Sequence, residues 1–515
     1  DRIADSLDVG FRHFPVFAEA GIKTVINGPF TFSPDGNPLL GPIRGLPGYW
    51  SACAVMAGLS QGGGVGLALA NWITEGDPGF DIWGMDVARF GDYATLSYTN
   101  TKVRENYGRR FRITFPNEHL EGARPLQTSP IYDRLDDHNA VWGSSFGLET
   151  ALWFQDADKD PIEDITFKRS NAWDAVKAEV SAVRNAVGLY EATGFAKYRV
   201  TGPSARQWLD SILANVMPQP GRIVLTPMLN EAGKLIGDFT VSCLETAATE
   251  EFFIFGSGAA ERYHQRWFEG HLPESGSVSF ETLGLRWCGL SIAGPRSRDV
   301  LRVLTEDDVE AESFGFMRTK WMNLGLVRCL VGKITFTGDL GYEIWMPAEY
   351  LRTVFDQVLA AGEPFGIRLF GGHALNSMRL DKSFGTWARE YRPIYGPYEA
   401  GLGRFVKLDK DFIGHDGAAA EKDAGPERRL LSFAIDAVDA DVIGDEPIWH
   451  NGEVVGWVTS GGYAHHSSAS VALGYVPADL EGSDGIFEVE VLGVRRLATQ
   501  LRRPLFDPAG ERMRS

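Results

Sequence analysis

Apolar residues fall along this chain in two alternating patterns. Short apolar runs bounded by glycine and proline read as strands, and longer segments with apolar residues at helical spacing read as helices. Near the start, Thr24–Asn27 and Tyr49–Met56 predict strands, Phe32–Pro38 a turn, and Val65–Ile73 a helix stopped near Gly76 and Pro78. A long central stretch mixes both patterns. Strands are predicted at Phe195–Val200, Phe239–Leu244, Phe252–Phe255, Trp287–Ile292 and Lys333–Phe336, and helices at Asn171–Val187, Ser204–Leu213, Tyr350–Ala361 and His373–Leu380. Ala418–Pro426 is small, charged and closed by Gly-Pro, which predicts a linker. Beyond it Arg429–Ile435, Glu453–Val458, Ser470–Tyr475 and Phe487–Val491 are strand-like with glycine turns, which fits a small barrel or sandwich. The fold class is α+β, in four units: 1–85, a connector 86–140 rich in arginine and aromatics, a body 141–425, and an all-β unit 426–515.

Composition narrows the function. A formal charge of −18 over 515 residues argues against a nucleic-acid partner. Gly45–Thr74 carries no charge, yet its centre, Ser60–Gly64, is too polar for a bilayer, so a buried strand and a buried helix are expected and no membrane partner. The 4 cysteines have no metal or redox spacing and read as buried free thiols of a reducing compartment: cytoplasm, or mitochondrial matrix in a eukaryote. His465 and His466, adjacent on a strand, point to opposite faces, and no metal is expected.

Two features carry chemistry. Gly62, Gly63 and Gly64 open the Val65–Ile73 helix, where backbone N–H groups and the helix dipole suit an anionic ligand, although their spacing is not that of a dinucleotide fingerprint. Asp238 stands in an otherwise apolar strand beside Leu235, Ile236, Phe239 and Val241, and a carboxylate there needs a cation, a donor or a catalytic task.

These segments resemble a known family. Ile26–Gly36, Pro38–Gly41 and Leu69–Ile73 are similar to the end of FAD-dependent amine oxidoreductases, and Asp81–Phe90 to the connector that follows in dimethylglycine dehydrogenases. His138–Gly143, Gly147–Phe154, Gly194–Pro203, Thr226–Ser242, Phe336–Trp345, Met378–Lys382 and Val455–Tyr463 resemble, in order, the folate-binding aminomethyltransferase region fused to dimethylglycine and sarcosine dehydrogenases. The resemblance implies a partial FAD-oxidoreductase module, an aminomethyltransferase-like folate-binding domain and a C-terminal small β-barrel. It also implies oxidative demethylation of a small N-methyl amine, with the one-carbon unit passing to tetrahydrofolate. Asp238 is then the catalytic carboxylate, Met228, Tyr342, Glu343 and Arg379 line the folate site, and Asp35 with Gly62, Gly63 and Gly64 meets FAD. Electrons pass to oxygen or an electron-transfer flavoprotein. The family's N-terminal nucleotide-binding unit is not in this sequence, so a longer chain or a second subunit is expected to supply it. A flavin-independent folate enzyme and a non-catalytic folate-binding scaffold are the rival readings. The scaffold relatives carry a Lys-Gly-Cys-Tyr signature where this chain reads Lys382–Trp387 without cysteine.

Overall fold

The computed structural model describes residues 3–245 and 250–515. Its centre is two antiparallel-rich sheets stacked face to face, built from the runs read as strands. The first sheet orders Ser279–Thr282, Ala196–Thr201, Glu250–Gly256, Leu235–Glu245 and Arg222–Leu229. The second orders Thr319–Leu324, Val327–Gly332, Gly341–Pro347, Trp287–Ala293, Val187–Glu191 and Ile367–Leu369. Strand alternation sorts the side chains. Tyr198, Val241 and Ile254 leave the first sheet on its outer face, into a core shared with Trp208, Leu209 and Ile212 of the helix Ala205–Ile212. Phe253 and Phe255 leave it on the inner face, where they meet Leu330 and Trp345 of the second sheet. Phe255 stacks on Trp345 with ring centroids 4.4 Å apart, a contact that contributes about 0.5–1.5 kcal/mol beyond its buried area. The far face of the second sheet packs Leu290, Ile292 and Ile344 against Leu351, Val354, Phe355 and Val358 of the helix Leu351–Gly362.

The C-terminal unit resolves the choice between barrel and sandwich: Arg428–Ile435, Ala469–Pro477, Glu453–Ala464, Pro447–His450, Phe487–Val491 and Val494–Leu501 close into a barrel in that order. It joins the body through the helix Gly372–Asp381 and through Tyr395, which stacks on Tyr475 at 3.6 Å. The chain between them departs from expectation. Residues read as a linker form the helix His415–Ala424, ended at Gly425 with φ 79°, because its alanines, glutamate and lysine are strong helix formers. The strand expected at Lys333–Phe336 is absent: its neighbour ends at Gly332, and Lys333 instead donates to the Ser515 carbonyl at 2.6 Å.

The first unit differs most from its reading. Trp50–Cys53 is a strand paired with Leu39–Pro42, but residues 24–27 form no element. The helix Gly58–Glu75 forms as expected and ends at Gly76, yet of its 18 residues Ala68 alone is buried; Leu67 and Ile73 are exposed, as is Cys53. Apolar residues on several sides of a helix are all buried only where a second surface covers it, and the described residues supply one side. Ion pairs hold this unit and the connector to the body and to each other, among them Arg89–Asp35 at 2.7 Å, Arg266–Asp86 at 2.6 Å and Arg392–Asp81 at 2.7 Å. No helix among the described residues is long and apolar enough to cross a membrane.

Arg184 is the deepest electrostatic tie. It is 1% exposed, pairs with Asp339 and with Asp381 (3.2 Å), donates to the Thr337 carbonyl at 2.7 Å, and lies on the Phe506 ring at 3.6 Å. Replacing it with Met strands two buried carboxylates, so Arg184→Met is expected to lower unfolding free energy by about 3–5 kcal/mol in urea titration. Arg184→Lys, which keeps the charge, is expected to lose less.

Candidate functional site

Between the two sheets, and extending under the loop 383–405 and the end of the chain, lies a cavity of about 1460 Å³. Asp238 enters it from the first sheet and Glu343 from the second. Their directions follow from local packing. Phe239, next to Asp238, turns to the outer core, and its ring lies over Gly237 and Gly256, where an added Cβ would sit 2.6 and 2.7 Å from it. Glycine at both places lets the ring lie flat and fixes the register, and alternation then leaves Asp238 and Thr240 facing the cavity. Glu343 shares its strand face with Trp345, while Tyr342 and Ile344 point the other way.

Both carboxyls are pushed up to about 7. For Asp238 the cause is burial, reinforced by the nearby Glu390 carboxylate. For Glu343 it is burial, partly offset by a hydrogen bond with Trp345. Among the described residues neither has a cation within salt-bridge distance. Glu390 itself is fully buried and satisfied. Thr459 Oγ1 (2.6 Å) and Ser460 Oγ donate to one oxygen; the Thr386 amide (2.9 Å) and Arg379 Nη1 (3.4 Å) donate to the other. It therefore pins the loop carrying Trp387 and Tyr391, both in the cavity wall, to the barrel. Burial, Asp238 and Glu390 all raise the Tyr391 hydroxyl pKa, so it stays protonated and able to donate.

The expected site residues divide. Asp238 and Glu343 meet at one cavity; the other three do not line it. Tyr342 is fully buried and packs on Phe314 because it is one residue out of phase with Glu343. Met228 is fully buried in the outer core. Arg379 is occupied by Glu390, the Phe384 carbonyl (3.0 Å) and Asn376 (2.9 Å). Trp387 and Tyr391 went unnoticed in the sequence because they sit in an irregular loop where no periodicity marks a face. Lys197 and Glu191, also in the wall, were not singled out in the sequence.

The residues assigned to FAD do not form a flavin site among themselves. Gly62, Gly63 and Gly64 lie inside the helix, past Gln61, whose amide already makes a helical bond to Ala57. Their N–H groups are thus committed to the helix. The Asp35 carboxylate is taken by Arg89 and by the Ser33 hydroxyl at 3.0 Å. Among the described residues no group of His, Cys, Asp and Glu is arranged to hold a metal; the His465 amide bonds Ser377 and the His466 ring packs on Phe506.

Two stacked sheets followed by a closed barrel, with a carboxylate from each sheet in the cavity between, define an aminomethyltransferase-type fold. The solved glycine cleavage aminomethyltransferase T of Bartonella henselae superposes with a TM-score of 0.64 at 20% identity, covering 74% of this chain and 99% of that one. Residues 131–410 match the GCVT N-terminal domain, and the chain belongs to that family. Residues 428–507 match the glycine cleavage T-protein C-terminal barrel domain, and residues 75–129 the FAD dependent oxidoreductase central domain. Mitochondrial dimethylglycine dehydrogenase of Mus musculus is 36% identical over 519 residues, covering 100% of this chain and 59% of that protein. The formaldehyde-forming 4-methylaminobutanoate oxidase of Paenarthrobacter nicotinovorans is 30% identical, covering 97% of this chain and 61% of that protein. The resemblance to the dimethylglycine and sarcosine dehydrogenases is borne out, and the chain spans about three fifths of the length of these relatives.

The raised carboxyl makes a stability prediction. Between the ordinary aspartate value and 7, the unfolded chain releases the Asp238 proton while the native state keeps it, so native stability falls as pH rises through that window and is flat above it. Asp238→Asn is therefore expected to melt higher than the parent at pH 8. The gain should shrink steadily towards pH 5 and vanish near pH 3.5, as read by thermal melts across pH.

Proposed function

We propose that the cavity binds a reduced folate and that Asp238 is the proton acceptor in one-carbon transfer to it. The observation that supports this most is the convergence of Asp238 and Glu343, each pushed up to about 7, on one cavity from two different sheets. At about 1460 Å³ the cavity exceeds the usual volume of a drug-sized ligand site, which leaves room for a folate and an incoming small amine together.

In this reading an N-methyl amine of the dimethylglycine or sarcosine type is oxidised to a methylene iminium ion, by the chemistry named in the dimethylglycine dehydrogenase relatives. Oxygen or an electron-transfer flavoprotein takes the electrons. Tetrahydrofolate supplies two amine nitrogens that together take up the carbon as 5,10-methylenetetrahydrofolate. Each nitrogen loses a proton as it bonds the carbon; one proton leaves with the expelled amine, and a carboxylate with a pKa near 7 accepts the other at neutral pH without holding it permanently. Asp238 fills that role, and its negative charge also steadies the cationic stage. Glu343 holds the donor edge of the pterin by accepting its hydrogen bonds. Phe255, Trp345, Trp387 and Tyr391 exclude water, which would otherwise convert the iminium to free formaldehyde.

Asp238→Ala is expected to lower methylenetetrahydrofolate formation at least ~100-fold, with folate affinity within a few-fold of the parent. Glu343→Ala is expected to weaken folate binding about 10-fold or more, the cost of a lost charge-assisted hydrogen bond. Product analysis with amine and tetrahydrofolate decides the assignment. Undiminished methylene transfer by the Asp238 variant removes its catalytic role. A methyl product points to a flavin-independent enzyme, and folate binding without turnover to a scaffold.

A further inference from the structure

Lys197 sits in the wall of the same cavity and takes no part in the chemistry above. The sheet register aligns Lys197 with Phe255 and Phe255 with Thr240 across three neighbouring strands. Lys197 thus shares the inner face with Asp238, about 12 Å from it by strand spacing and rise. It is 1% exposed, and its Nζ donates to the Thr193 and Phe195 carbonyls, each at 2.7 Å. Among the described residues no carboxylate stands within 4.0 Å of it.

That donor count matters. An ammonium has three N–H groups, and among the described residues two of them meet protein oxygens, the Thr193 and Phe195 carbonyls. A neutral amine has two, both satisfied by the carbonyls, and one lone pair left free. Burial pushes the amine down to about 8, against the opposing pull of Glu261, Cys288 and Glu191, so the neutral form is a minor but substantial fraction near neutral pH. Nothing else in the cavity wall has a free nitrogen lone pair in this position, and the Trp345 ring, 5.8 Å from Nζ, borders the approach.

We propose that Lys197 is a capture site for a one-carbon aldehyde: it condenses reversibly with formaldehyde released inside the cavity and holds the carbon until a folate amine takes it. The inference rests on the one-carbon reading, since formaldehyde arises there whenever water reaches the iminium first. The Nζ lone pair attacks the carbonyl carbon, the C=O pair moves to oxygen, and a proton shifts from nitrogen to that oxygen, giving a carbinolamine. Protonated loss of water gives a methylene iminium on Nζ. An amine nitrogen of the folate adds to the carbon as the π pair returns to Nζ. A proton then shifts from that nitrogen to Nζ, and the carbon–Nζ σ bond breaks to release lysine and leave a methylene iminium on the folate. The second folate nitrogen closes on it with loss of its proton. No oxidant or reductant is needed. The near-complete burial restricts the site to the smallest aldehydes.

The test uses the whole chain without folate or amine, treated with dilute formaldehyde and cyanoborohydride at pH 7.5 and mapped by peptide mass. Reduction traps captured carbon as N-methyl-lysine. A pKa near 8 against an ordinary lysine value near 10.4 gives a roughly 100-fold larger neutral fraction, so even with slowed entry Lys197 is expected to methylate at least ~10-fold faster than Lys422. Replacing formaldehyde by benzaldehyde is expected to abolish labelling at Lys197 but not at Lys422. Methylation of Lys197 no faster than Lys422, or none, overturns the capture site. Because folate is absent, that result leaves the folate reading standing, and failure of methylene transfer leaves a labelled Lys197 standing.

Discussion

The buried carboxylate of Glu390 is the interaction on which the site depends. Its oxygens collect two hydroxyls from the barrel strand Glu453–Ala464, an amide from the loop that covers the cavity, and the guanidinium of Arg379 from the helix Gly372–Asp381. An ion taken fully out of water is tolerable only when its lone pairs are filled, and here every donor comes from an element that would otherwise be free to move. The anchor sets the position of Trp387 and Tyr391. It also places a fixed negative charge near Asp238, which helps to keep that carboxyl neutral in the lower half of the physiological range. The barrel is thus a structural part of the cavity even though most of its residues are remote from it.

The cavity has a consistent electrostatic logic. Asp238 and Glu343 are held well above their ordinary values and Lys197 below, so each of the three titrates close to pH 7. Desolvation alone drives the shifts in the same sense for acids and bases, away from charge. Such groups exchange protons with small free-energy cost, which suits transfers that pass a proton with each bond made or broken. Arg184 shows the opposite solution. Where the chain needs rigidity, charge is kept and matched, with Asp339 and Asp381 around one guanidinium and the C-terminal segment folded over it through Arg512, which donates to the Arg184 carbonyl at 2.6 Å.

Much of this was legible in the residues. Alternation located the strand that carries Asp238, because a buried sheet needs apolar residues at every second position or more and a carboxylate in such a run is conspicuous, whereas Glu343 was marked by its motif and its strand, Gly341–Pro347, was not read. The order of the motifs carried the fold, since each strand and turn came at the interval a relative would place it. Elements that depend on remote surfaces were not legible. The helix Gly58–Glu75 is rich in apolar residues, and sequence alone does not reveal that the described residues bury it only at Ala68. The segment His415–Ala424 has both linker-like charge and helix-forming alanines, and packing of Ala418 in the outer core settled it as helix.

The amino-acid sequence alone determined the α+β class, four of the six barrel strands, the family and the two carboxylates, because each of these rests on local periodicity or on a motif contained in a few consecutive residues. Only the tertiary structure decided which neighbours share the cavity. Tyr342 and Glu343 are adjacent in sequence and lie on opposite faces of one strand, whereas Asp238, Lys197 and Tyr391 are far apart in sequence and meet at one wall. That sorting depends on strand register and on which sheet faces which, and both are set by long-range packing: the flat Phe239 ring over two glycines, the Phe255–Trp345 stack, and the donors around Glu390.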